Sequence, residues 1–142
     1  MKTSEKGLEL IKKHEGLTLK AYKCPAGVWT IGYGHTGGVN PSDVITKEKA
    51  VEFLKEDVRE SETAINGNLK NLNQNQFDAL VSFVFNTGSG NFLRSTLLKK
   101  AKVNPNERTI SDEFQKWVHA AGKVLPGLVK RRKEESELYF SK

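Results

Sequence analysis

A carboxyl, a thiol and a hydroxyl recur at short spacing near the N-terminus. Eight residues separate Glu15 from Cys24, and five separate Cys24 from Thr30. A carboxylic acid can protonate a leaving oxygen, a thiol can attack or accept a proton, and a hydroxyl can hold a water. Glu15 ends an amphipathic stretch, where a helix dipole is negative, an environment that suits a general acid. One isolated Glu means little. A hairpin that folds Cys24 and Thr30 back beside the end of the first helix would place three chemically useful groups on one cleft.

Other chemistries lack their signatures. No GxxxxGK[ST], HExxH, CxxC or GxSxG string occurs, so phosphate-loop, zincin, zinc-ribbon and α/β-hydrolase readings have no support. The glycine-rich string from Gly32 to Gly38 is not followed promptly by a helix, and it reads as a strand end and turn. Cys24 is the single cysteine, so no internal disulfide staples the fold. With 23 Lys+Arg against 17 Asp+Glu the chain carries +6, which favours an anionic partner. The last third holds most of this charge. The run Lys130–Lys133 looks at first like a nucleic-acid patch, but Glu134, Glu135 and Glu137 follow at once. That points to pairing along one helix rather than a phosphate track. Arg131 and Arg132 are either a solvated face or part of a charge network around Glu15. No apolar run approaches the roughly 18 residues that span a bilayer, and the N-terminus has no apolar signal core.

The elements that must position these residues follow from periodicity. Residues 4–14 read as an amphipathic helix with Ser4 as N-cap and Gly16 as terminator. A hairpin is expected over about 18–35 around the Cys24-Pro25-Ala26-Gly27 turn. Thr46 caps a long helix to Ile65, with Ala50, Leu54, Val58 and Ile65 on one stripe. Asn73 and Gln76 form a capping-box pair for a helix carrying Phe77, Leu80, Val81 and Val84. Further helices are expected at 92–102, 111–121 and 127–140. Phe114 and Trp117 belong to the core, and His14 and His119 to surface or interface positions. The 142 residues fit one domain of two lobes.

The segment HEGLTLKAYKCPAGVWTIGYGHT resembles the active-site segment of phage T4-type lysozymes, the endolysins of glycoside hydrolase family 24. Their pattern is Glu, eight residues, Asp or Cys, five residues, Thr, then Ile-Gly-x-Gly-His. Glu15, Cys24, Thr30 and Ile31-Gly32-Tyr33-Gly34-His35 fill it without a gap. The likeness continues through Asn73–Phe83, Phe85-Asn86-Thr87-Gly88, Ser95–Leu98, Phe114–Trp117 and Pro126–Arg132. It covers nearly the whole chain, with its blocks in order.

The resemblance implies an α+β, lysozyme-like fold: a small β-hairpin lobe and a helical lobe joined by a long helix, with a cleft between them. It implies a muramidase that cleaves the β-1,4 bond between N-acetylmuramic acid and N-acetylglucosamine. The rival is a catalytically weak peptidoglycan-binding module. Glu15 matches the acid, Cys24 the second catalytic group, and Thr30 a hydroxyl near the attacked carbon. Phe85 and Asn86 match cleft-lining positions, and His35 is given a minor part in shaping the substrate cleft. At least one of Arg131 and Arg132 is expected to approach the N-terminal helix. Cys24 replaces the commoner Asp. A thiolate nucleophile, a thiolate base and a merely permissive polar group remain open roles for it. No metal or organic cofactor is expected. The expected partner is the peptidoglycan glycan strand, without nucleic acid or stable membrane insertion, and with the protein acting as a monomer. The family's usual route from the host cytoplasm to the wall is a holin-type pore.

Overall fold

Ser4 has extended backbone, and its hydroxyl accepts from the Gly7 N–H, so helix α1 (Glu5–Glu15) begins where its first free donor finds a partner. Gly16, at φ 75°, ends it, and turns the chain into strand β1 (Thr18–Lys23). The computed structural model describes all 142 residues. After β1 the chain reverses and returns as β2 (Trp29–Gly32), antiparallel, with Tyr22 opposite Thr30 and Lys23 opposite Trp29. The register is irregular between Thr18 and Tyr22. Residues 43–45 add a short third edge, since Ala21 N–H donates to the Asp43 carbonyl and Ile45 N–H to that of Leu19.

Thr46 caps α2 (Lys47–Asn66), whose stripe Ala50, Leu54, Val58, Ser61 and Ile65 is buried. At 20 residues it is about 30 Å long, and it joins the hairpin to the helices that follow. The capping box of Asn73 and Gln76 starts α3 (Gln74–Thr87). Every residue of α3 from Gln76 to Val84 is buried. An amphipathic stripe suffices for a surface helix; α3 is enclosed on all sides because α1, α2 and α7 (Pro126–Tyr139) pack around it.

Two expectations need correction. The helix expected at 92–102 is two short helices, α4 (Ser89–Leu93) and α5 (Thr96–Val103). Ser95 separates them: its buried hydroxyl donates to the Phe92 carbonyl and accepts from the Leu98 N–H, ending one helix and capping the next. The helix expected at 111–121 stops at Gln115, as α6 (Ile110–Gln115). Beyond it β3 (His119–Ala120) and β4 (Lys123–Val124) form a tight hairpin. Ala121 and Gly122 at its tip have φ of 52° and 77°, the pair of positive values that a type I′ turn demands. Phe114 is fully buried and meets Phe83 edge-on, and Trp117 packs against the same ring.

The N-terminal residues are tied to the middle of the fold. Thr3 donates from both its N–H and its hydroxyl to Glu62 on α2 at 2.7 Å. Ser4 donates from its N–H and its hydroxyl to the buried carboxylate of Asp78 on α3, which Gln74 also contacts. Gly7 is what lets α1 approach Asp78 this closely, since a Cβ there would lie 2.8 Å from the Asp78 carboxyl carbon. Gly7→Ala therefore sets two effects against each other. Helix propensity improves by about 1 kcal/mol, and overpacking costs about 1–3 kcal/mol. Asp78 is pinned by its hydrogen bonds, so the clash dominates, and a thermal melt should fall by several degrees. A melting temperature equal to or above wild type would show that α1 and α3 are not in tight contact there.

Candidate active site

Glu15 closes α1, and its carboxylate lines a cleft of about 390 Å³ between the hairpin and the helices. Gly34 and Thr36 of the hairpin lobe form one wall. Asp57, Glu60 and Ser61 of α2 form the floor, and Val84, Phe85, Asn86, Gly88 and Ser89 the far side. The sequence-predicted Glu15, Phe85 and Asn86 are thus brought together. Asp57 and Glu60 carried no sequence signal, because on a long polar helix nothing marks which acids face a cavity, and Ser61 falls on the buried stripe of α2 without a sign that it reaches a cleft.

One oxygen of Glu15 is fixed by charge and the other by shape. Oε2 accepts from Arg131 Nη1 at 2.6 Å, and the Glu15 side chain stays 21% exposed. Oε1 lies against Gly34, where an added Cβ would come within 3.1 Å of it. Gly34 has φ of 83°, a region that residues with a Cβ rarely enter. The glycine is needed both for backbone conformation and for close approach.

Arg131 is one of two arginines on α7 that join the cleft to a buried cluster. Its Nε donates to Glu135 Oε2 at 3.2 Å and its Nη2 to the Ser82 carbonyl at 3.1 Å. Arg132 donates from Nη1 to Glu135 Oε1 at 2.5 Å and from Nε to the Trp117 carbonyl at 2.9 Å. Its Nη2 hydrogen-bonds Asn86 Oδ1, and its guanidinium lies over the Phe83 ring. So the solvated-face reading of the 130–133 run fails for these two arginines, both of which are buried. The pairing with Glu135 is at i,i+4 and i,i+3, as the charge pattern suggested. Arg131 reaches the N-terminal helix as the resemblance implied.

Cys24 and Thr30 sit together on the hairpin and are not among the residues that line the pocket beside Glu15. The turn is closed by Cys24 N–H to the Val28 carbonyl at 2.9 Å and Gly27 N–H to the Cys24 carbonyl at 2.8 Å. Cys24 is partly exposed. The Val28 backbone N–H holds its thiol below the ordinary thiol range, with smaller help from the Ala26 N–H and the Thr30 hydroxyl. Thr30 is buried, and its Oγ1 donates to the Val28 carbonyl at 3.0 Å.

His35, given a minor part in shaping the cleft, is tied within the protein. Its Nδ1 lies 2.8 Å from Asp57 Oδ2 and its Nε2 2.8 Å from the Gly37 carbonyl. Its ring stacks on Phe53 of α2 at 4.0 Å. With both nitrogens and a face engaged, it locks the hairpin lobe to α2 and aims Asp57 at the cleft. Of the two positions expected for His14, surface or interface, it takes the interface between α1 and α7: its side chain is 10% exposed and its Nε2 lies 3.1 Å from Glu134 Oε2. Burial pulls its pKa down, against the opposing pull of Glu134. His119 is exposed, as expected.

A helical lobe and a hairpin lobe joined by one long helix, with an acid at the cleft between them, define a lysozyme-type glycosidase. The Phage lysozyme family model matches residues 12–135, and the chain belongs to that family. It is 51% identical over 146 residues to an endolysin of Acyrthosiphon pisum secondary endosymbiont phage 1, covering 99% of both chains. It is 45% identical to an endolysin of Bacillus phage B103, covering 99% of this chain and 55% of that longer one. Among solved structures it superposes on the muramidase domain of SpmX from Asticaccaulis excentricus with a TM-score of 0.92 at 37% identity, over 99% of each.

Gly34→Ala should disturb the site far more than the fold. The left-handed backbone costs a residue with a Cβ about 1–2 kcal/mol, and the new methyl displaces Glu15 Oε1. The carboxylate must give by a few tenths of an ångström; since a misplacement of about 1 Å costs on the order of 100-fold, a smaller loss of about tenfold is expected. Reducing-end release from purified cell wall should fall by that much while circular dichroism stays unchanged; near-normal turnover would mean that Glu15 does not need its present position.

Proposed function

We propose that the protein is an endolysin that hydrolyses the β-1,4 bond between N-acetylmuramic acid and N-acetylglucosamine in peptidoglycan. The observation that carries this reading is Glu15, held by Arg131 and Gly34 at the junction of the two lobes, in a polar cleft. Glu15 gives its proton to the glycosidic oxygen as the bond from that oxygen to the anomeric carbon breaks. Water supplies the oxygen that bonds to that carbon, and its proton leaves to a base. Positive charge builds on the sugar ring in the transition state. The Cys24 thiol, held below the ordinary thiol range by the Val28 N–H, forms a thiolate more readily than a free thiol, and a thiolate can meet that charge or take the proton from water. Thr30 orients the groups of this turn. Phe85 and Asn86 line the wall against which the glycan lies.

Charge complements this assignment. Peptidoglycan carries muramyl and peptide carboxylates, and the chain's +6 favours association with it. No helix of the structure is long and apolar enough to cross a membrane. A holin-type pore is the route to the wall that fits this reading best, with the enzyme acting there as a monomer.

Two measurements test the assignments. Glu15→Gln keeps the shape of the side chain but has no proton to give, and general acid catalysis contributes about 10²–10⁴-fold. Turnover of purified peptidoglycan should fall by that order, with the melting curve intact; an active Gln variant would remove Glu15 from the chemistry. For Cys24, the informative comparison is Ala against Asp. Cys24→Ala should lose most activity, and Cys24→Asp, an anion at neutral pH, should keep a substantial share. Iodoacetamide should react with wild-type Cys24 with a pH midpoint below that of a free thiol. Full kcat in Cys24→Ala would make the thiol a structural turn residue.

A further inference from the structure

We propose that Glu135, buried behind the cleft, is a positioning residue for the reaction: it is the standing counter-ion that aims Arg131 at Glu15 and Arg132 at Asn86. This rests on the reading of Glu15 as the acid.

Glu135 is wholly buried. A carboxylate this deep carries a desolvation penalty of several kcal/mol unless its charge and lone pairs are answered. Here both oxygens are answered. Oε2 accepts from the Ser82 hydroxyl at 2.5 Å and from Arg131 Nε at 3.2 Å, and Oε1 accepts from Arg132 Nη1 at 2.5 Å. Each arginine then extends past Glu135 to a different part of the cleft. Arg131 ends on Glu15 Oε2, and Arg132 ends on Asn86 Oδ1. One buried anion therefore sets the direction of two cations, one facing the acid and one facing the glycan wall.

The charge count shows why a second carboxylate is needed. With Glu15 ionised, two carboxylates balance two guanidiniums. To act as an acid, Glu15 must carry a proton, and Arg131 then has lost one of its two anionic partners. Glu135 is the one that remains, and it keeps Arg131 in place until Glu15 has given up its proton. Without Glu135, the Arg131 guanidinium would have no anion but Glu15 and would resist its protonation, and Arg132 beside it would have no anionic partner. The other charges around the cluster are few. On α1, His14 faces Arg131 and Glu135, and Lys13 is bonded to Glu134 of α7. Lys130 also faces Glu134. From α2, Asp57 and Glu60 face the same cleft as Glu15. From α3 the cluster meets only neutral groups, Ser82 and Asn86.

The test uses Glu135→Gln, which keeps the size of the side chain and removes its charge. Profiles of kcat/KM against pH on purified peptidoglycan are compared with wild type. The expected result is an alkaline limb moved to lower pH by about one unit, as expected for loss of one nearby charge. At neutral pH that is a loss of about tenfold, most of it in kcat. Glu135→Asp, which keeps the charge, should recover part of it. A folded Glu135→Gln protein whose profile superposes on wild type would overturn the proposal. If Glu135→Gln does not fold, Ser82→Ala removes one donor to Glu135 and leaves every charge in place; it should lower kcat severalfold, and unchanged kcat would overturn the proposal equally. An inactive wild type would instead sink the glycosidase reading. In that case the guanidinium N–H resonances of Arg131 and Arg132 and the side-chain amide of Asn86 still decide the matter: they must shift or broaden together in Glu135→Gln, and undisturbed signals would exclude Glu135 as their anchor.

Discussion

The arrangement depends on ion pairs where α1, α3 and α7 meet. Two arginines and a glutamate are taken out of water there, and one of the arginines comes out at the catalytic cleft. Such a cluster is a poor source of stability, because desolvation offsets most of the Coulomb attraction, and packed apolar side chains could do as well. What it supplies is direction. A guanidinium is a rigid planar fork with five donors, so anchoring part of it on Glu135 leaves the rest with little freedom. α7 becomes a bracket that reaches through the helical lobe to the end of α1 and to Asn86.

Everything around that bracket is built to let charged groups sit deep. α3 is buried along most of its length, yet at Ser82 it presents a hydroxyl and a carbonyl rather than another apolar side chain. The Phe83 ring lies beneath Arg132 and gives that cation an electron-rich face. At the other end of the same helix Asp78 collects the N-terminal segment through Ser4. One helix thus fixes both ends of α1: its start through Asp78, and its last residue, Glu15, through Arg131 and Ser82.

The hairpin lobe is held differently. It has little apolar core of its own, and Leu19, Tyr22 and Val28 are exposed on it. Its attachment to the rest is local and specific: Gly32 against Ala50, Gly34 against Glu15, and His35 stacked on Phe53 and paired with Asp57. The glycines allow backbone to touch neighbouring residues where a side chain would intervene. The resulting lobe places Cys24 and Thr30 in one turn while leaving the cleft open for an extended polymer.

Much of this was legible in the chain. Ser4, Thr46 and the Asn73–Gln76 pair mark helix starts because capping is a local matter of one side chain and the next few N–H groups. The Glu15–Cys24–Thr30 spacing and the Ile-Gly-x-Gly-His string announced the family. Local signals failed where the decisive partner is distant or the element is short. Ser95 splits a helix by bonding in both directions, and Ala121 adopts positive φ to close a hairpin of two-residue strands; neither leaves a periodic trace. His35 could be read as shaping the cleft, but its partner Asp57, 22 residues away, could not be read from local pattern. The sequence by itself determined the capped helix starts and the apolar stripes, and it singled out Glu15 as the candidate acid. Only the tertiary structure decided that Arg131 meets Glu15 across 116 residues of chain, and that Asp57 and Glu60 face the cleft. It also decided that Glu135 is core rather than surface. The reason is physical: a charge pattern along one helix states which partners are possible, and burial against other helices selects which are made.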